Sequence, residues 1–581
     1  MTESSPREAT LRAGPLLGGV ALLVIYMRIG ATIGFQAWYG PPFAPLHKDV
    51  PISFVHVSQS ELRFWLAHLA LALPGALLVA WGVAPRLAPL VRRLVARIDG
   101  ATPRGWRIAG AVLFVVLVLW SIAGHYVVLL GQPLTDDENA VTFGARILAS
   151  GQVSVPLLQP AGAFTDLFTY QRDGQIMSMD FPGVLLFAAL GILTKLGPLL
   201  YAIACGVSGV AIAYAAGRWF GPRGRVIAAL IWLASPMIAA LSITVHGHIP
   251  SRMFIALAIA FAARLDTDTT TARRDLILLG LFAGLGFLCR PFETACLLGP
   301  LGAWFVWKRR TQATWLLAGL VPTIAVFALY NSATTGVWYL QARFAPGTLG
   351  NPSLRLSMGD RFATNLGWNV LMLAVFFLGV PAIAAVIGGL QRKRPMLLVL
   401  AVGCLTVLLM CLLHDNTGIH SVGPIHMSEV ALPLVLLATA GILRAFVWFS
   451  ERGLSPITPA ALLAGYLVIA CGAFNLSNLA SLRMQANTQG VPLATLEAAG
   501  IHNAIVIARP YIVLLQVDKT FAPWGSWVLE YPQPHPDLSD DILWAKWTAD
   551  PKALRAAFPE RAIYRLHYSE KPPVLRVEQL P

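Results

Sequence analysis

Charge is what this sequence has least of. Only 12% of its 581 residues are charged, while 56% are hydrophobic and the mean hydropathy is +0.65. A soluble particle of this size would need more polar residues to cover its surface, so the composition points to a polytopic membrane protein. Acids are scarcer still, 29 Asp+Glu against 43 Lys+Arg. The net charge of +14 sits in short clusters between apolar runs, where it orients helices rather than holding a polyanion. Nucleic acid is therefore set aside as a partner, and the lipid bilayer takes its place. Alternating strands of about ten residues are missing, which argues against a transmembrane barrel. Six cysteines (Cys205, Cys289, Cys296, Cys404, Cys411 and Cys471) lie in or beside apolar segments, with neither ligand spacing nor a pairing pattern in a polar loop. The absence of an internal repeat weakens an inverted-repeat transporter reading.

Present instead are repeated apolar runs of about 18 to 22 residues, each long enough to cross the hydrocarbon as a helix. The first follows Arg7 and Arg12, continues to about Ile33 and shows no small-residue cleavage site, so it reads as an uncleaved span rather than a signal peptide. Arg92-Arg93, Arg97, Arg104 and Arg107, then Arg218, Arg223 and Arg225, then Arg264, Arg273 and Arg274, then Lys308-Arg309-Arg310 and Arg392-Lys393-Arg394, should all be cytoplasmic. Pro182–Leu196 is apolar but too short to cross, and counting it as a span would put Arg218, Arg223 and Arg225 outside. It is better read as an interfacial or re-entrant helix. Spans are then expected near 14–33, 62–88, 108–130, 198–217, 226–245, 249–264, 275–289, 292–307, 312–330, 369–390, 396–413, 429–449 and 457–475, about 13 crossings, with the N-terminus cytoplasmic and the C-terminus outside. The expected location is the cell's inner (plasma) membrane.

Outer loops follow at 131–197, 331–368 and 414–428 of a transmembrane domain 1–478. Residues 479–581 change character. Short β-favouring runs (Ala504–Ile507, Ile512–Val517, Trp527–Tyr531, Ala562–Tyr568) alternate with Pro- and Asp-rich turns and a helix expected at Pro551–Ala557, giving a small α/β extracytoplasmic domain.

Ionisable residues near span ends are the productive place to look for chemistry, because charge in hydrocarbon is costly. Three consecutive acids, Asp136-Asp137-Glu138, follow the run Ala111–Leu130 and open the first outer loop. They read either as a base at the mouth of a membrane site or as a solvated loop. On the same expected face lie Asp180, His246 and His248, Arg290 and Glu293, Arg343, Arg355 and Arg361, and His414, Asp415, His420, His426 and Glu429. Arg290, at a forced turn in 275–307, suits a phosphate as a bidentate partner, and an Arg290–Glu293 pair capping the hairpin is the plainer reading. His246 and His248 on their own read as interface histidines. The histidines of 414–428 leave room for a divalent metal, though no ligand motif supports one, and no cofactor is expected. Tyr330-Asn331 and Trp338-Tyr339 could stack on a sugar or belong to the interfacial aromatic belt.

The order of these features resembles a known superfamily. Thr135-Asp136-Asp137-Glu138-Asn139-Ala140, continuing through Phe143–Gly151, is similar to the first outer loop of GT-C glycosyltransferases, which include the protein O-mannosyltransferases and the aminoarabinose transferase of lipid A. Met179-Asp180-Phe181-Pro182-Gly183, Gly217-Arg218-Trp219-Phe220-Gly221, Ala234-Ser235-Pro236, Gly286-Phe287-Leu288 with Arg290-Pro291, and Tyr330-Asn331 through Thr334-Thr335-Gly336 resemble later landmarks in the same order. Where the family often has Tyr-Pro-Pro or His-Pro-Pro, this chain has Asp180-Phe181-Pro182, and two spans precede the acidic loop in addition to the commonest arrangement.

The resemblance implies a GT-C-like, all-α membrane fold and an inverting transfer of a sugar from a polyprenyl-phosphate donor to an acceptor hydroxyl on a protein, lipid or glycan. It implies Asp137 as the base, oriented by Asp136 or Glu138, and Arg290, His248, Arg343 and Arg361 at the donor phosphate. Asp180, His246, Glu293, Tyr330 and Asn331 complete the set expected to bind substrate. The rival readings are a transporter or flippase, against which the ionisable residues gather at one surface rather than at the midplane, and a non-catalytic scaffold using the outer domain.

Overall fold

The computed structural model describes residues 11–32, 67–133, 135–164, 168–268, 273–345, 348–349, 376–390, 394–412, 419–420, 422–452, 457–508, 531–570 and 573–581, with single helical positions at 366, 370 and 373. Arg355, Arg361, His414, Asp415, the strand expected at Ile512–Val517 and, except for Tyr531, the strand expected at Trp527–Tyr531 lie outside them.

The membrane part is built from α1 (Ala13–Thr32), α2 (Leu73–Asp99) and α3 (Pro103–Ala123), then, after the first loop, α6 (Gly197–Ala234), α7 (Pro236–Leu241), α8 (His248–Thr267), α9 (Arg273–Cys289), α10 (Pro291–Lys308), α11 (Ala313–Thr335), α12 (Val380–Leu390), α13 (Pro395–Leu412), α14 (Ala431–Glu451), α15 (Ile457–Gly465) and α16 (Gly472–Ala498). Among the described residues seven helices are long and apolar enough to cross a membrane. One of them, α6, is two segments. Gly221 adopts φ 80°, ψ −172° ahead of Pro222, a conformation open to glycine, and the chain reverses there. A side chain at Gly209 would stand 2.8 Å from the Trp232 indole, which only a folded-back helix permits. The reversal falls beside Arg218, Arg223 and Arg225, at the turn that the basic cluster marks in the sequence.

The core lies where α6, α8, α13 and α14 meet, with Ile212, Ile231, Ile259, Val407 and the run Ala431–Gly441 buried. α9 and α11 approach closely because Gly280 faces the Leu316 carbonyl and Gly319 the Ile277 carbonyl, the small-residue contact that membrane helices use in place of a hydrophobic drive. Several expected boundaries shift. The second span is α2, which starts later and runs on to Asp99, and the last helix continues through position 479 to Ala498.

The first loop holds α4 (Asp136–Ala149), strands β1 (Val155–Pro156), β2 (Thr169–Arg172) and β3 (Gln175–Ser178), and α5 (Pro182–Thr194). α5 is 13 residues long, too short to cross, and exposes Leu186, Leu190, Ile192 and Leu193, as an interfacial helix would. β4 (Thr348–Leu349) from the second loop pairs with β2, so the two loops share one sheet ordered β1-β3-β2-β4. The third carries β5 (Ile419–His420) and β6 (Gly423–Pro424).

The C-terminal sheet is ordered β10-β9-β7-β8, from β7 (Ala504–Ala508), β8 (Ile542–Lys546), β9 (Ala562–Glu570) and β10 (Pro573–Gln579), with α17 at Pro551–Ala557 as expected. β7 pairs in parallel with both β8 and β9. The first loop docks on it. The Lys546 amide donates to the Ala163 carbonyl at 2.7 Å, Phe164 bridges to Ala545, and Leu158, Ala163 and Phe164 join Leu543, Leu554 and Ile563 in one apolar core. Sheet and acidic loop therefore lie on the same side of the membrane.

Candidate active site

α4 begins with a capping box. Thr135 Oγ1 accepts from the Glu138 amide at 3.4 Å, and Glu138 Oε2 accepts from the Thr135 amide at 3.1 Å. The other carboxylate oxygen, Oε1, accepts from the Val245 amide at 3.0 Å. Glu138 is thus buried and employed as a tie between α4 and the 242–247 turn, which brings His246 to the acidic loop. Asp136 and Asp137 occupy the same first turn, where a helix N-terminus favours negative charge. Asp137 Oδ2 stands 3.6 Å from Nε2 of the buried His246, its side chain still 27% exposed.

Beyond His246 the polar groups continue inward. The His246 and His248 rings lie 5.0 Å apart, and that of His426 is 6.2 Å from His248. His248 Nδ1 is 2.9 Å from Glu429 Oε1, both side chains fully buried, and Ser428 Oγ donates to Glu429 Oε2 at 2.8 Å. Arg290 occupies the N-cap position of α10 without a capping bond from its side chain, and its charge bears on Asp180, His248, Glu293 and Glu429. Gly183 permits this placement. A β-carbon there would stand 2.7 Å from the Cys289 amide, so α5 packs directly on the backbone that leads into Arg290.

Asp180 follows β3 and takes Arg343 Nη2 at 3.3 Å, while Gln341 Nε2 donates to the Met179 carbonyl at 2.7 Å. Burial raises the Asp180 carboxyl above the ordinary range, against the lowering effect of Arg343 and with a further rise from Asp137. Tyr330 and Asn331 lie inside α11, which extends to Thr335, so they end a helix rather than start a loop. Asn331 Nδ2 donates to the Trp338 carbonyl at 3.2 Å, and Tyr330 feels the charge of Asp180. Trp338 and Tyr339 are exposed.

The structure thus gathers Asp137, Glu138, Asp180, His246, His248, Arg290, Glu293, Tyr330 and Arg343 on one side of the helix bundle. Buried donors and acceptors there make no hydrogen bond among the described residues, namely both ring nitrogens of His246, Nε2 of His248 and Nε of Arg290. Such atoms are costly unless something else satisfies them, and their clustering makes this the candidate binding site. Glu429, noted in the sequence only as one of a loop group, and Arg252 are the additions. Arg252 is 4% exposed on α8, its guanidinium 5.3 Å from the Trp232 ring and its charge bearing on Glu429. An arginine inside an apolar helix was signal enough to find it. Among the described residues no group of three or more His, Cys, Asp or Glu converges as a metal would require.

Residues 184–338 match the family model described as dolichyl-phosphate-mannose-protein mannosyltransferase. The chain also superposes on the crystal structure of ArnT from Cupriavidus metallidurans in the apo state with a TM-score of 0.50, covering 81% of this chain and 94% of that one at 13% identity. ArnT has the GT-C membrane fold. This chain has the GT-C fold. The same ArnT bound to undecaprenyl phosphate gives a TM-score of 0.49 at 13% identity over 81% and 94% of the two chains. The archaeal oligosaccharyltransferase AglB from Archaeoglobus fulgidus, in complex with an inhibitory peptide and a dolichol-phosphate, gives 0.40 at 16% identity over 65% and 56%. No curated protein sequence matches. The GT-C architecture makes the chain a multi-pass membrane protein, and the sequence landmarks from Pro182 through Gly336 fall almost entirely within the matched family segment.

Proposed function

We propose that the chain is a membrane glycosyltransferase that moves a sugar from a polyprenyl-phosphate donor to an acceptor hydroxyl on the outer face of the membrane, inverting the anomeric centre. The observation that carries this reading is the convergence of a partly exposed carboxylate, Asp137, with buried His246 and with Arg290, whose Nε has no partner among the described residues. Asp137 takes the acceptor's hydroxyl proton as that oxygen bonds to the anomeric carbon. The bond from that carbon to the phosphate oxygen breaks in the same displacement, and the departing phosphate gains charge that Arg290 neutralises, with His248 and Arg343 nearby. His246 holds the Asp137 carboxylate, and Glu138 holds the turn bearing His246. Asp180, Glu293, Tyr330 and Asn331 shape the pocket wall.

The same reading places the basic clusters and the N-terminus in the cytoplasm, with the acidic loop and the C-terminal sheet outside the inner membrane. It divides the chain after α16 rather than at 479, since that helix is continuous there. Asp137→Asn is expected to abolish transfer from labelled polyprenyl-phosphate sugars in membranes while the protein accumulates normally, and full activity would remove the base. Arg290→Ala is expected to act chiefly on use of the lipid-linked donor, and an unchanged donor dependence would remove the phosphate role. The displacement uses no cofactor. Dialysis against a chelator checks this, since activity lost on chelation and restored by a divalent cation would add an ion to the site.

A further inference from the structure

At the end of the bundle remote from Asp137, α3, α6 and α8 enclose an apolar cavity of about 1010 Å³. Phe114 on α3, Val210 and Leu230 on α6 and Leu257 on α8 form its walls, and arginines stand at its rim. α3 links the two ends. Its first turn carries Trp106 and Arg107 at the cavity, and it leads into the Gly124–Val128 turn, where His125 Nδ1 lies 3.2 Å from the Ile243 carbonyl, two residues before the Val245 amide bound by Glu138. At 1.5 Å per residue the cavity mouth is about 27 Å from that end.

The arginines that line it are not equivalent. Arg264 pairs with Asp275 at 3.0 Å, and outside the cavity Arg218 pairs with Asp268 at 2.7 Å and Arg223 with Asp99 at 2.6 Å. Arg107 and Arg225 have no carboxylate among the described residues. The Arg225 guanidinium carbon stands over the Trp106 ring at 4.7 Å and the Tyr214 ring at 5.8 Å, and its buried Nε makes no hydrogen bond among the described residues. A guanidinium held over aromatic faces at a membrane interface, with donors left over, is suited to a phosphate, which it can take bidentately. A phosphate alone would occupy only the rim, leaving the large apolar space behind it without a purpose.

We infer that this cavity is a binding site for an anionic glycerophospholipid of the leaflet facing the basic clusters, with the lipid phosphate on Arg107 and Arg225 and an acyl chain along Phe114, Val210 and Leu257. Basic pockets between transmembrane helices hold anionic headgroups by this combination of charge and apolar wall. The occupant is not the sugar donor, because a phosphate at Arg107 is separated from Asp137 by the length of α3. The site is independent of the transferase reading.

Native mass spectrometry of the full chain, released from detergent containing equal phosphatidylglycerol and phosphatidylethanolamine, tests it. The wild type is expected to retain phosphatidylglycerol preferentially. Arg107→Gln and Arg225→Gln should each weaken that retention about fivefold, the contribution of one cation near an anionic surface, whereas Arg107→Lys should keep most of it. Arg107 is exposed and makes no side-chain hydrogen bond, ion pair or ring contact among the described residues, so Arg107→Gln remains informative if loss of the Arg225–Trp106 contact impairs folding. Equal retention of the two lipids, or unchanged retention in Arg107→Gln, would overturn the proposal. So would displacement of the lipid by millimolar inorganic phosphate, since the apolar wall would then contribute nothing.

Discussion

Asp180 shows how a carboxylate at this site is set by its surroundings. Buried between the first loop and Arg343, it holds a proton more readily than an ordinary aspartate. Its folded pKa therefore lies above its unfolded one, and the native state binds more protons in the window between them. Stability attributable to Asp180 is greatest below the ordinary carboxylate range and declines as pH rises through that window. Asp180→Asn should flatten that decline. The measurement is the thermal midpoint at a series of pH values, and an unaltered slope would show that Asp180 does not contribute. Within the acidic triplet the sequence left the orienting acid open between Asp136 and Glu138, because three adjacent carboxylates look alike until their partners are known. The structure engages both Glu138 oxygens with backbone amides, one from Thr135 and one from Val245. The Val245 contact joins residues far apart in the chain, which no local spacing could have revealed. His246 was legible as a candidate and illegible as a neighbour of Asp137 for the same reason.

Elements here are positioned by close backbone approach as much as by side-chain packing. α5 rests on the end of α9 through Gly183, and what it supports is the turn that presents Arg290. Gly183→Val should force the two apart, cost about 1–3 kcal/mol of stability as an overpacked contact does, and raise the donor KM more than it lowers thermal stability would suggest. Titration of activity against donor concentration checks this, and a variant with normal KM would show that α5 does not set the Arg290 turn. The helices themselves were largely written in the hydropathy pattern. The short α5, the break at Arg290-Pro291 and the reversal near Gly221 were all visible as length limits, prolines and basic clusters. Helix ends were less so. Tyr330-Asn331 read as a loop entry because polar residues follow there, yet α11 runs on to Thr335, and the Thr334 and Thr335 hydroxyls turn back to donate to the Tyr330 and Asn331 carbonyls, so these polar residues are satisfied within the helix.

At the scale of the whole molecule, the first loop is fastened at both ends, to the helices through Glu138 and to the C-terminal sheet through Phe164. Phe164 is 3% exposed, with its ring edge-on to Phe558 at 6.0 Å. Phe164→Ala should destabilise the docked sheet by about 3–5 kcal/mol, in the range for a buried aromatic, and reduce transfer although it lies well away from Asp137. Protease sensitivity of the C-terminal region, compared with activity, checks this. Loss of one without the other would mean that the sheet does not steady the loop. That sheet was only partly legible. β7, α17 and β9 match expected elements, whereas Ile542–Lys546 and Pro573–Gln579 were passed over, the first because a short apolar run flanked by charge has no distinctive period and the second because it opens on a proline. The docking has a consequence for the order in which the protein is made. Leu158, Ala163 and Phe164 are translated before every helix from α5 to α16, but their partners Leu543, Leu554 and Ile563 only after all of those helices. A nascent chain can thus insert α5 through α16 and still carry an unfinished first loop, which closes only when β8 and β9 reach the side of the membrane where that loop lies.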